Sequence, residues 1–193
     1  SDASVKADTL TNNSSVTAVT GVRGAAASFS GSNYLSCTDA NCGGTSKLDY
    51  PGSGGWSLGA WVNPTSTAAY PDVLGKMGTT EGNYSYSIYL DNVQIPRFRV
   101  YSTGMSGSVQ SATSSIAAPL GKWSFLTGVY DGSTLKIYVN GVLTGQTTYS
   151  SGIADTGGIF EIGANGGGYY GSIDEPFVTA TALTASQIKH MYE

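Results

Sequence analysis

A chain of 193 residues, 40% of them hydrophobic, is long enough to bury one substantial core and asks for no second domain, so residues 1–193 are read as a single module. With 11% charged residues, 27 glycines and 13 tyrosines, the composition is that of an all-β protein and not of a helical one rich in Glu, Lys and Ala. A formal charge of −4 offers no basic face to phosphates or anionic lipid, which argues against nucleic acid as a partner, and no run of about 18 apolar residues exists for direct membrane insertion.

The opening SDASVK lacks the charged-then-apolar layout of a signal peptide, leaving either a cytosolic chain or one whose targeting segment has been removed. The first strand pattern is ASFS, around Phe29. Cys37 and Cys42 follow, the only two cysteines, separated by TDAN and trailed by Gly43-Gly44. A polar loop is a poor place for inert buried thiols, so the pair reads as a loop disulfide, with two exposed free thiols as the alternative. Zinc is set aside, because a structural site normally takes four ligands and the single histidine, His190, lies far away in sequence. The disulfide reading favours an extracellular or cell-surface location.

Further strands follow at 56–62 (WSLGAWV), 84–90 (YSYSIYL), 96–102 (PRFRVYS), 122–130 (KWSFLTGVY), 135–139 (LKIYV), 159–163 (IFEIG) and 171–178 (GSIDEPFV), each bounded by Gly, Pro, Asn or Asp. Leu135, Ile137 and Val139 alternate with Lys136 and Tyr138, the period of a strand with one core face and one outer face. Asp131-Gly132 and Asn140-Gly141 suit turns because these residues tolerate positive φ. Trp56, Trp61 and Trp123 fall inside strand patterns and are assigned to the core. One helix closes the chain: in LTASQIKHMY, Thr184 caps with Gln187 three residues on, Leu183 and Ile188 occupy staple positions, and His190 is left at the surface or partly packed. Many short strands at this spacing point to a two-sheet sandwich or jelly roll.

Four stretches, GVRGAAASFSGSNYL (21–35), WSLGAWVNP (56–64), WSFLTGVYDGSTLKIYVNGVL (123–143) and IGANGGGYYGSIDEPFVTATALTASQIKHMY (162–192), taken in this order resemble the laminin G-like modules of the concanavalin A-like lectin/glucanase superfamily. The resemblance implies an all-β, two-sheet antiparallel jelly-roll sandwich with a short C-terminal helix, carried by a secreted or surface protein. It also implies a structural calcium, since modules of similar sequence hold one on an aspartate matching Asp174, with backbone carbonyls matching Gly31 and a residue near Asp2. Strand alternation puts Asp174 on one face with Pro176 and Val178, pointing toward the core edge, where a cation would neutralise it. The alternative is that Asp174 caps backbone N–H groups in a turn. Relatives also place an aromatic just before the Gly of G-x-I-D, which makes Tyr170 a core residue and leaves Tyr169 to face a ligand.

The superfamily carries both lectins and hydrolases, so chemistry has to be sought in the site. Its glucanases hold Glu-x-Asp-x-x-Glu on one strand. No such motif is present here, the 13 acidic residues are scattered, and the neighbours Asp174 and Glu175 point to opposite faces of a strand. With no G-x-S-x-G elbow and one distant histidine, no nucleophile and base can be paired, so the chain is expected to have no catalytic residues and not to be an enzyme. Ligand-binding candidates lie in four segments: Tyr70 and Asp72 in TAAYPDVLGK; Glu81, Asn83 and Tyr84 in TTEGNYSY; Arg97, Arg99 and Tyr101 in IPRFRVYSTGM; Asn165 and Tyr169 in ANGGGYYGS. Aromatic rings cover the CH-rich faces of sugars, while amides, carboxylates and guanidinium groups bond the hydroxyls. Arg97 and Arg99 flank Phe98 and so share an exposed face, fit to clamp a carboxylated sugar or only to keep the strand soluble. The expected function is a non-catalytic, lectin-like module recognising a glycan or surface polysaccharide. The alternative is an adhesion or spacer module contacting another surface protein.

Overall fold

A computed structural model describes residues 10–38, 42, 48, 54–67, 70–77, 84–102, 109–154, 157–163 and 168–193. These residues form two seven-stranded antiparallel sheets and one short helix. The first sheet runs in the order β1 (Thr11–Asn13), β4 (Tyr34–Cys37), β13 (Ile159–Ile162), β6 (Asp72–Met77), β7 (Tyr86–Leu90), β8 (Pro96–Tyr101), β9 (Val109–Thr113). The second runs β12 (Val142–Thr148), β11 (Thr134–Val139), β10 (Ser124–Tyr130), β5 (Trp56–Pro64), β14 (Tyr170–Thr179), β3 (Ala25–Ser30), β2 (Thr17–Thr20). The jelly-roll sandwich expected from the sequence is therefore present, with its C-terminal helix α1 (Ala185–Tyr192).

The core fills the space between the sheets, as period-two alternation requires. Leu58, Leu126, Tyr130, Leu135 and Ile137 enter it from the second sheet, and Leu74, Ile88, Phe98, Val100 and Ile162 from the first. Trp56 sits at its centre, 4.6 Å from the Tyr86 ring and 5.4 Å from that of Phe98. The β11–β12 hairpin turns on Asn140 (φ 51°) and Gly141 (φ 78°) between the paired Val139 and Val142, the two-residue turn that an Asn-Gly pair favours.

The outer face of the second sheet is sealed by the helix. Ile188 packs against Trp61, Phe125, Val129 and Tyr138, with Leu183, Met191 and Phe177 around it. The capping box is complete: Thr184 Oγ1 accepts from the Gln187 amide at 3.3 Å, and Gln187 Oε1 accepts from the Thr184 amide at 2.9 Å. His190 is exposed.

Two features differ from the sequence reading. Six strands, β1, β2, β4, β6, β9 and β12, are absent from the sequence reading because they are short or interrupted by Gly, Ser and Thr; one of them, β6, Asp72-Val73-Leu74-Gly75-Lys76-Met77, is buried at every residue. In addition, β14 carries a bulge between Asp174 and Phe177, where Glu175 adopts φ 47°. Asp174 follows the inward Ile173 and so stands outward over Trp61, and the bulge brings Phe177 to the same helix-covered side over Gly59 while Val178 turns to the core. Asp174 therefore does not point to the core edge, and it does not share a face with Val178 as expected.

Candidate functional site

With the second sheet covered by α1, the outer face of the first sheet is the surface on which unpaired chemistry can collect. Along β7 and β8, Tyr86, Ile88, Leu90, Phe98 and Val100 point inward, so Ser87, Tyr89, Arg97, Arg99 and Tyr101 point outward. Register lines up Ser36, Glu161, Gly75, Ser87, Arg99 and Ser111 in one row across six strands. Asp72, Tyr89, Arg97 and Thr113 form the adjacent row.

At the centre is a closed ion pair. Arg99 reaches from β8 across β7 to β6, placing Nη2 at 2.7 Å and 2.9 Å from the two carboxylate oxygens of Asp72, while its Nε donates to Ser87 Oγ at 2.8 Å. The Ser87 hydroxyl in turn donates to Asp72 Oδ1 at 2.8 Å. The planar guanidinium suits this fork, and three tyrosines surround it: the rings of Tyr89, Tyr84 and Tyr101 lie 4.4, 5.5 and 5.7 Å from its central carbon. Tyr84 and Tyr101 also pack on each other at 5.3 Å. A second pair anchors the β7–β8 turn, where Arg97 donates to Asp91 Oδ2 at 3.0 Å and Asp91 Oδ1 accepts from the Val93 and Ile95 amides.

The electrostatics follow from burial. Burial pushes the Asp72 carboxyl up to about 6, with Arg99 and Ser87 pulling the other way. Glu161 is 3% exposed, and its Oε2 has no hydrogen-bond partner. Burial, reinforced by the neighbouring Asp72 carboxylate, pushes it up to about 7. Asp91 is a different case, since burial works to raise it but the Ile95 and Val93 amides and Arg97 hold it below the ordinary carboxylate value.

Six of the ligand candidates read from the sequence, Tyr70, Asp72, Tyr84, Arg97, Arg99 and Tyr101, come together on this face. Tyr70 is 53% exposed and its ring lies 6.3 Å from that of Tyr89. Arg97 and Arg99 share the face as expected, but each is committed to an aspartate, and the Arg99 side chain is only 17% exposed. Neither is a free clamp for a carboxylated sugar. Glu81, Asn83 and Asn165 lie outside the described residues. Sequence reasoning missed Ser87, Tyr89 and Glu161. The alternation of YSYSIYL held the signal for the first two, whereas Glu161 required knowing that β13 lies beside β6.

The two tyrosines at the head of β14 exchange the roles assigned to them. Tyr169 is fully buried, edge-on to Phe29 at 6.1 Å, and burial raises its hydroxyl far above the ordinary value; Tyr170 is 41% exposed. Counting back from the inward Ile173 puts Gly171 and Tyr169 inward and Tyr170 outward, with Gly31 leaving room for the Tyr170 ring.

Of the expected metal ligands, Asp174 and Gly31 lie apart along the β3–β14 pair. Asp174 is buried, and its two oxygens accept from the amides of Arg23 at 2.9 Å and Glu175 at 3.0 Å. Gly31 instead bonds through its amide to the Tyr169 carbonyl, five positions from Asp174 along β14, about 17 Å of extended chain. Asp2 lies outside the described residues. Among the described residues no three His, Cys, Asp or Glu side chains gather to hold a metal ion. Asp174 makes the contacts of the backbone-capping alternative. Cys37 and Cys42 are joined as a disulfide. Among the described residues no helix is long and apolar enough to cross a membrane.

The two-sheet architecture defines a concanavalin A-like jelly-roll module. Residues 29–189 match the Laminin G 3 family model, described as concanavalin A-like lectin/glucanases superfamily, and the chain belongs to that superfamily. No curated protein matches it in sequence. Among solved structures, it is similar to the binding domain of Paraclostridial Mosquitocidal Protein 1, with a TM-score of 0.80, 12% identity, and coverage of 99% of this chain and 48% of that one. It is also similar to domain 4 of a GH43 extracellular arabinanase from Geobacillus stearothermophilus, in complex with arabinotriose, at TM-score 0.68 and 21% identity over 96% of this chain and 87% of that one. A third is the binding domain of Botulinum Neurotoxin DC in complex with SialylT, at TM-score 0.69 and 13% identity over 95% of this chain and 45% of that one. The chain thus spans about half the length of the two toxin structures. At these identities the likeness is one of fold.

Proposed function

We propose that this chain is a non-catalytic, lectin-like carbohydrate-binding module of a secreted or cell-surface protein, and that it engages a glycan on the outer face of the first sheet. The observation that carries the reading is the tyrosine cluster built around the Arg99–Asp72 pair, with the exposed Tyr70 and half-buried Tyr84 and Tyr101 at its margin. Rings held in place by packing present flat apolar surface to a sugar at little entropic cost, and the adjacent polar groups orient its hydroxyls. Similar folds in complex with arabinotriose and with SialylT support a sugar-binding role. The disulfide supports an extracellular setting.

The same geometry speaks against glycoside hydrolysis. A retaining hydrolase needs one carboxylate free to attack and a second carboxyl about 5 Å away to protonate. Here both oxygens of Asp72 accept from Arg99, and Ser87 adds a further donor. The test is a glycan array followed by calorimetry on Tyr70→Ala and Tyr84→Ala, with Tyr170→Ala as a control on the opposite sheet. Affinity that falls with the first two and not the third supports the reading. A folded chain that binds no glycan leaves the adhesion or spacer alternative, and turnover of the bound glycan would make the chain an enzyme.

A further inference from the structure

Among the described acidic side chains on the outer face of the first sheet, Glu161 is the one whose carboxyl lacks a partner. Asp72 is fully engaged by Arg99 and Ser87, and Asp91 by Arg97 and two turn amides. Glu161 stands on the same row, opposite Gly75 on β6 and Ser36 on β4, with Oε2 enclosed and unpaired. A buried polar atom with no partner is costly, and natural structures keep few of them without a use. Gly75 also removes the side chain that would otherwise stand between Glu161 and Ser87 in that row.

The groups around Glu161 fix its charge state. Asp72 faces it from β6 and bears a negative charge that Arg99, from β8, already balances. Tyr89 is the titratable group that β7 adds to this face, and β4 presents the uncharged Ser36. Lys76 pairs in register with Phe160 and Tyr86 and so belongs to the opposite face. No cation among the described residues of these strands is placed to offset a second carboxylate, so the neutral acid is the favoured form below about pH 7, in agreement with its raised pKa. With Asp72 cancelled by Arg99 and Asp91 by Arg97, the described residues of this face carry no unpaired ionised group while Glu161 keeps its proton.

We infer that this face selects an uncharged glycan, and that Glu161, carrying its proton, donates a hydrogen bond to a sugar hydroxyl at its centre. The inference rests on the lectin reading above and narrows its ligand class: among the described residues of this face, sialylated and uronic-acid sugars meet no free guanidinium, and below about pH 7 amino sugars meet no unpaired ionised carboxylate.

The experiment compares the wild type with Glu161→Gln and Glu161→Ala. The ligand is the tightest neutral oligosaccharide from the array, with a sialylated and a uronic-acid-bearing oligosaccharide as charged counterparts. Titration calorimetry is run from pH 6.5 to 8, and circular dichroism melts verify folding. The wild type is expected to prefer the neutral sugar and to lose about eightfold in affinity over that range as Glu161 gives up its proton, while Asp72 stays mostly ionised. Glu161→Gln keeps a neutral donor, so it binds with a flat pH profile. Glu161→Ala binds about tenfold more weakly at pH 6.5. Wild-type affinity and pH profile in Glu161→Ala, or tighter binding of either charged sugar, overturns the inference and leaves the lectin reading intact. Absence of binding to every glycan by the folded wild type overturns both.

Discussion

Replacing Arg99 by Met tests the centre of the site, because it removes the charge while keeping much of the side-chain volume. In the wild type Asp72 is buried and takes hydrogen bonds of 2.7 and 2.9 Å from Arg99 and 2.8 Å from Ser87. Without the guanidinium, one hydroxyl donor remains for a buried carboxylate. Breaking one side of a buried pair costs about 3–5 kcal/mol, a large share of the ~5–15 kcal/mol that holds a typical domain folded. At roughly 2–4 °C per kcal/mol for a chain of this size, the melting temperature falls by about 6–20 °C at pH 8. The loss must shrink at pH 5. Burial already lifts Asp72 to about 6 against the pull of Arg99, so below that pH the carboxyl is protonated and the missing cation matters less. Removing both charges, in Asp72→Asn with Arg99→Met, recovers most of the stability because no orphan charge remains. Urea unfolding followed by tryptophan fluorescence at pH 5 and pH 8 measures all three proteins. A cost below about 1 kcal/mol at pH 8, the range of an exposed ion pair, or a cost independent of pH would refute the reasoning.

The wild type is most stable in mild acid, near pH 4–5. The raised carboxyls Asp72 and Glu161 contribute below their unfolded values of 3.8 and 4.5 and lose that contribution as pH climbs through about 6 and 7, whereas the lowered Asp91 and Asp131 lose theirs as pH drops below 3.8, Asp131 toward about 2. A melting-temperature series across pH 2–9 checks this, and in Glu161→Gln the decline between pH 4.5 and 7 flattens. Asp174→Ala removes the acceptor for the Arg23 and Glu175 amides and costs about 2–3 kcal/mol in urea unfolding, while EDTA leaves the wild-type melting temperature unchanged; a melting temperature lowered by EDTA and restored by calcium would show a bound cation after all. Tyr169→Ala opens a core cavity beside Phe29 and destabilises by about 3–5 kcal/mol, whereas Tyr170→Ala stays within about 1 kcal/mol, and equal effects of the two would contradict their assigned faces.

The fold was legible where side-chain period and local capping agree. LKIYV alternated, Asn140-Gly141 turned it, and Thr184 with Gln187 opened the helix, each by contacts within a few residues. Legibility ended where a residue's setting depends on distant chain. Strand β6 holds Gly75 and Lys76 inside an apolar run; it becomes a strand because β13 and β7 pair with it on either side, and no local pattern announces that. The bulge at Glu175 likewise puts Val178 on the core side and Asp174 on the outer one, two residues that unbroken alternation would place on one face.

The site shows the same division, and there it bears on function. Arg97 and Arg99 announce a shared face in three residues of sequence, which invites a clamp for an anionic sugar. Their partners arrive from elsewhere: Asp72 sits 27 positions from Arg99, and Asp91 meets Arg97 only once the β7–β8 turn has formed. An arginine that has found its aspartate inside the protein no longer offers its charge to a ligand, so the ligand class suggested by counting exposed charges is reversed once the pairs are known. What the face still offers is ring surface and the one unpaired carboxyl of Glu161, which was not visible as a site residue because nothing in IFEIG marks its outward position as lying next to Asp72. The chemistry left after internal pairing, and not the chemistry present in the sequence, decides what a sheet face of this kind binds.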